Sequence, residues 1–257
     1  MKGLESEIQH YWNQRGKVET LNEQKRFGGS AGFREHPIWL SLIPVLLNQP
    51  AGGRIIRRVA DMGSGTGIMA EHLTKLGYEV IAVEYAASRA ELAKERLARY
   101  PNAEVRLGDA VNPPIEQGEV DAVISRNLIW LLPDPLKAVQ CWCSLTGPGG
   151  RIAAIDSTRR MDHRNRMSRQ QSAVRRFLGI DRRSHQESLP FTSKEATPLS
   201  NISHPDQAAE IWRQAGAVDV RIEDLSWVTA AKLQRQSFWS RFWSLSGYYA
   251  ILGDQKH

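Results

Sequence analysis

Cysteine is scarce: the 257-residue chain has two, Cys141 and Cys143. One residue apart inside an apparent helix, they are too close for an ordinary disulfide and too few for a structural zinc site. They therefore read as reduced packing residues. Long apolar runs are also missing. The longest, Trp39 to Leu47, is roughly half a membrane span, and the opening MKGLESEIQHYW carries acids where a secretion signal would be apolar. Both absences predict a cytoplasmic chain with no membrane partner. The histidines are scattered without ligand spacing, so no metal is expected. Internal repeats and low-complexity tracts are absent.

What is present is ordinary globular material. Hydrophobic residues make up 41% and charged residues 24%, which rules out a chain too polar to bury a core. The net charge of +6 is unevenly spread. Much of it lies between Arg151 and Arg183, where basic residues alternate with Met, Val, Phe and Leu. Such a run is either a solvated helical face or a nucleic-acid contact.

From Gly53 to Asp156 short β-rich runs alternate with longer helical patterns, the order of a parallel sheet built from βαβ units. Strands are predicted at residues 57–61, 79–83, 103–107, 120–125 and 151–156, with helices at 69–76, 87–100 and 135–145 between them. Gly77 and the Gly147-Pro148-Gly149-Gly150 stretch stop two of those helices. Later, 207–216 reads as a helix and 218–224 and 247–253 as strands. The expected fold is a Rossmann-like, seven-stranded, mostly parallel α/β sheet with helices on both faces. An N-terminal helical cap (1–52, helices at 5–14 and 36–47) precedes the core (53–156). A basic helical insertion (157–205) follows the fifth strand, being too long for a simple connection, and residues 206–257 complete the sheet.

Asp61-Met62-Gly63-Ser64-Gly65-Thr66-Gly67 sits directly after an apolar strand and before a helix. Its glycines permit a sharp turn and close approach of a ligand to the backbone at a helix N-terminus. Dinucleotide-binding folds space this loop as G-x-G-x-x-G/A. Here the spacing is G-x-G-x-G, Ile68 stands at the third small position, and Asp61 would face a pyrophosphate with a carboxylate. A cationic amino-acid end suits Asp61 better.

At these residues the chain resembles the class I S-adenosylmethionine-dependent methyltransferases, whose D/E-x-G-x-G-x-G loop lines the methionine and ribose side of the cofactor. The resemblance implies cofactor contacts from Asp61, Gly63, Ser64, Gly65 and Gly67. It extends to Glu84, ending the second strand as the acid for both ribose hydroxyls, with Tyr85 beside adenine. It extends also to Leu107-Gly108-Asp109-Ala110, where Asp109 would accept the exocyclic amine and Ala110 donate its backbone. The stretch Ser125-Arg126-Asn127-Leu128-Ile129-Trp130, running on to Gly147-Pro148-Gly149-Gly150, is similar to a small-molecule subgroup, and Arg126 is expected at the cofactor. That subgroup carries Y-W-[DN]-x-R near its N-terminus, matched by Tyr11-Trp12-Asn13-Gln14-Arg15, which places Tyr11 on the cofactor as part of a cap. Ordinary core packing explains the same aromatics equally well.

The implied reaction is methyl transfer from S-adenosylmethionine, leaving S-adenosylhomocysteine, by in-line displacement onto an N, O or C nucleophile of a small-molecule acceptor. Positioning supplies most of that catalysis. A general base is needed only for an acceptor protonated at working pH; His10, Tyr11, Glu35, His36 and His163 are candidates, none with a partner identifiable from spacing. Trp12, Phe33, His36, Trp130 and Asp156 are candidates for the acceptor pocket, as a largely apolar concave site requires. The aromatic cluster Phe238-Trp239 and Phe242-Trp243 reads as core or a dimer contact, and monomer and homodimer both stay open. The alternatives are an RNA or DNA methyltransferase using the basic segment, and a cofactor binder without turnover. Against the first, Asn112-Pro113-Pro114 follows the third strand rather than the fourth, and Ile115 stands where an aromatic would stack on a flipped base.

Overall fold

The computed structural model describes residues 2–23, 37–48, 50, 52–157, 197–199, 204–234 and 247–256. Among these, seven α-helices flank one sheet: α1 (Lys2–Glu23), α2 (Ile38–Leu47), β1 (Arg58–Met62), α3 (Ile68–Lys75), β2 (Glu79–Glu84), α4 (Ala87–Leu97), β3 (Ala103–Leu107), β4 (Ala122–Arg126), α5 (Pro135–Thr146), β5 (Arg151–Ser157), α6 (Pro205–Gln214), β6 (Val218–Asp224), α7 (Ser226–Gln234) and β7 (Tyr248–Asp254). The sheet order is β3-β2-β1-β4-β5-β7-β6. β1 to β5 run parallel, and β7 inserts antiparallel between β5 and β6.

Strands buried on both faces need continuous apolar sequence, and β1, β2, β4 and β5 supply it. One face packs Met62, Val123 and Ile152 against Trp142 of α5 and Trp212 of α6. Those two rings meet edge to face with centroids 6.5 Å apart. The opposite face packs Ile124, Ala153 and Ile155 against Leu42 of α2 and Leu73 of α3. Each large side chain so buried contributes about 1.5–3 kcal/mol.

Most element boundaries fall within a few residues of the sequence expectation, and the departures have local causes. The predicted 120–125 strand starts later, at Ala122, because Asp121 turns its carboxylate onto the backbone N–H groups of Arg57 and Arg58, both at 2.9 Å. α1 runs well past the predicted Gln14, through Gly16, where a Cβ would come within 2.2 Å of Ser88 Oγ on α4. Helix α7 was not expected. Asp224 Oδ1 accepts the Ser226 N–H at 2.9 Å as the chain turns into it. The 157–205 insertion and the Phe238–Trp243 cluster lie outside the described residues, apart from Ser157 and 197–199 with 204–205.

Arg151, which opens the predicted 151–156 strand, is 1% exposed. It forms a short, two-pronged ion pair with buried Asp254 of β7 and donates to the Leu46 carbonyl of α2 at 2.9 Å. The guanidinium thus joins β5, β7 and the C-terminal end of α2, with both charges compensated away from water. Arg151→Met is predicted to lose about 3–5 kcal/mol in urea unfolding because Asp254 is left buried and unpaired. Arg151→Met with Asp254→Leu should recover most of it.

Candidate functional site

In open parallel sheets, ligands bind beyond the carboxyl ends of the strands, where the strand order reverses. Here that switch lies between β1 and β4, and an open cavity of about 190 Å³ occupies it. The loops after β1, β2, β3 and β4 form its walls. Glu5, Ile8 and Trp12, one stripe of α1, form its roof.

The glycine loop is shaped for close approach. Gly63 and Gly65 hold φ of 66° and 60°; a Cβ on Gly63 would meet Leu128 at 2.9 Å, and one on Gly65 would meet the Arg89 guanidinium at 2.8 Å. The turn is tied to β2. Ser64 N–H donates to the Val83 carbonyl at 3.0 Å, and Gly65 N–H to Glu84 Oε2 at 2.7 Å. Glu84 Oε1 accepts from Ala86 N–H at 2.9 Å, so this carboxylate fixes both turns bordering the cavity. Asn127, just past β4, is a non-glycine residue at φ 56°, a conformation asparagine tolerates better than most. Its N–H is held by the Ile155 carbonyl at 2.8 Å.

Asp61 is the electrostatic centre. It is 1% exposed, its Oδ2 has no hydrogen-bond partner, and burial pushes its carboxyl up to about 7, opposed by the Arg126 charge and an N–H from Ala70 and reinforced by Glu84. A buried carboxylate oxygen with no donor on it suits a cationic group. Arg126, also in the cavity wall, stacks its guanidinium 4.8 Å above the Trp39 ring.

The cavity gathers Trp12, Asp61, Gly63, Ser64, Gly65, Glu84, Tyr85, Asp109, Ala110 and Arg126. Gly67 stands behind the wall, a Cβ there meeting Ala93 of α4 at 3.2 Å, so it performs the helix-seating role that Ile68 does not. Asp109 Oδ1 accepts from Val111 N–H at 3.0 Å, and Trp142 Nε1 holds the Ala110 carbonyl at 2.8 Å. Tyr11 is off the wall: it stacks edge-on with Trp12 at 5.2 Å and takes a hydrogen bond from Arg15 at 3.0 Å. His10 is exposed on α1 and is not part of the lining. Trp130 packs beside Ile8 and Leu131, and Thr197 donates to its carbonyl at 2.7 Å. Asp156 is buried opposite Tyr249 in the β5–β7 pairing, outside this cavity. Phe33, Glu35, His36 and His163 lie outside the described residues. Cys141 and Cys143 are free thiols, and burial pushes Cys143 up to about 11, so it stays protonated.

Sequence reasoning missed Glu5, Ile8 and Arg89. The first two form an i, i+3, i+7 stripe with Trp12, a signal available beforehand. Arg89, whose guanidinium lies 4.6 Å above the Trp12 ring, offered none. Among the described residues no group of three or more His, Cys, Asp or Glu side chains is placed to hold a metal, and no helix is long and apolar enough to cross a membrane.

Residues 60–154 match the methyltransferase domain family. An uncharacterized methyltransferase of Mycobacterium tuberculosis is 32% identical over 103 residues, 40% of this chain and 41% of that one. A ubiquinone biosynthesis O-methyltransferase of Xanthomonas axonopodis pv. citri is 29% identical over 119 residues, 46% of this chain and 48% of the relative. The matched stretches thus span less than half of these curated relatives. Phosphoethanolamine N-methyltransferase 2 of Haemonchus contortus, solved in complex with S-adenosyl-L-methionine, shares the fold at a TM-score of 0.60 and 14% identity, over 85% of this chain and 52% of that one. Residues 60–154 thus carry a methyltransferase domain.

Because the Asp61 carboxyl is held near 7 in the folded chain against 3.8 ordinarily, the folded state binds the extra proton and stability falls as pH rises through that window. Asp61→Asn removes this slope. The variant should melt progressively above the parent from pH 4 to 7 and keep a constant advantage beyond. Equal melting-temperature differences at pH 4 and pH 8 would contradict the burial account.

Proposed function

We propose that the chain moves the methyl group of S-adenosylmethionine onto an N, O or C nucleophile of a small molecule. The observation that carries this reading is the placement of three acids, Asp61, Glu84 and Asp109, at the ends of neighbouring strands β1, β2 and β3, in one cavity under α1. The bound cofactor supplies an electrophilic methyl on a sulfonium. The residues fit it: the partnerless Oδ2 of Asp61 suits the α-ammonium, and Arg126 beside it suits the α-carboxylate. Glu84 spends one lone pair of each oxygen on Gly65 and Ala86 and has two more for ribose hydroxyls. Asp109 and Ala110 border the position for adenine, with Tyr85 nearby.

The remaining wall is largely apolar, with Ile8, Trp12, Leu128, Leu131 and Leu132, a lining suited to a small organic acceptor. The names of the relatives point the same way, one being a ubiquinone biosynthesis O-methyltransferase and a structural neighbour a phosphoethanolamine methyltransferase. This reading assigns catalysis mainly to holding nucleophile, methyl and sulfur in line.

Purified protein incubated with S-adenosylmethionine carrying a labelled methyl group and a fractionated cell extract should label the small-molecule fraction. Asp61→Asn, which loses a charge-assisted hydrogen bond of about 1.5–3 kcal/mol, should bind the cofactor roughly 10- to 150-fold more weakly. Label in nucleic acid would overturn the acceptor class, and cofactor binding without transfer to any fraction would favour a non-catalytic binder.

A further inference from the structure

The cavity wall places opposite charges on adjacent strands. Asp61 of β1 pairs in register with Ile124 of β4, so Arg126 lies two residues further along on the same face of the sheet. A long guanidinium side chain loses rotamer freedom when held in one orientation, and a rigid surface beneath it offsets that loss. Trp39 is that surface. It is 1% exposed on α2, its ring lies 4.8 Å below the Arg126 guanidinium carbon, and Tyr248, opening β7, abuts it edge-on at 6.1 Å and 89°. The ring is therefore fixed by α2 on one side and β7 on the other.

We propose that Trp39 is a positioning residue: its ring holds the Arg126 guanidinium where it meets the carboxylate of the cofactor's amino-acid end, opposite the ammonium held by Asp61. This inference rests on the cofactor reading above. It assigns the helix α2 a part in donor recognition without any contact of its own with the donor. Trp39 never touches the ligand, so its effect passes through one group and appears only for ligands bearing a carboxylate.

The test compares S-adenosylhomocysteine with its decarboxylated analogue by titration calorimetry. The parent protein should prefer the carboxylate-bearing ligand at least tenfold, the range of a charge-assisted hydrogen bond. Trp39→Met, which keeps bulk and removes the ring, should reduce that preference about 2- to 30-fold, as loss of a cation–π contact of 0.5–2 kcal/mol implies. Trp39→Phe should restore most of it and serves as the folded comparison should Trp39→Met unfold. In an Arg126→Gln background the Trp39 substitutions should leave the preference unchanged. Equal weakening of both ligands, or a preference unmoved by Trp39→Met, overturns the inference. Failure of the parent protein to bind S-adenosylhomocysteine overturns the cofactor reading itself, a separable result.

Discussion

The carboxylate of Glu84 organises the functional end of this molecule. By accepting from Gly65 at 2.7 Å and from Ala86 at 2.9 Å, it staples the turn after β1 to the turn after β2. That second turn is where the cap docks. Gln9 donates to the Tyr85 carbonyl at 3.2 Å, Ser88 Oγ donates to the Asn13 carbonyl at 2.8 Å, and Asn13 Oδ1 accepts from Ser88 N–H at 3.2 Å. The glycine loop and the roof of the cavity are therefore tied to one another through a single buried side chain.

The site is assembled at a cost in stability that the remainder of the fold offsets. Asp61 is desolvated with an orphaned oxygen, and Asn127 sits in a left-handed conformation; neither arrangement favours the folded chain by itself. Away from the cavity, charges of the same kind are satisfied. Glu71 of α3 is met by Arg96, Arg99, Lys75 and Tyr100, which hold its carboxyl down to about 2. Arg96 also donates to the Thr66 carbonyl at 2.9 Å, bracing the glycine loop from behind. The contrast between a saturated Glu71 and an unsaturated Asp61 separates a structural acid from one left available for a ligand.

How much of this was legible in the sequence depended on whether the determinant was local. The strands announced themselves through apolar runs punctuated by glycine, and Asp61, Glu84 and Asp109 through their place at strand ends. Arg151 did not, because its partner Asp254 is 103 positions away. Tyr11 and Trp12 were read together, yet helical geometry turns adjacent residues about 100° apart, so Trp12 lines the cavity and Tyr11 does not. Trp39 drew notice as the start of the longest apolar run. The guanidinium it supports comes from a strand 87 positions later, and no spacing within either segment reveals the pair.

The account stands on Glu84 serving both loop and ligand, and titration calorimetry with S-adenosylhomocysteine on the parent protein and on Glu84→Gln tests this most directly. Binding by the parent protein, weakened tenfold or more in a Glu84→Gln protein that still unfolds cooperatively, is the predicted result. Equal affinity in the two proteins, or no binding by the parent, would contradict it.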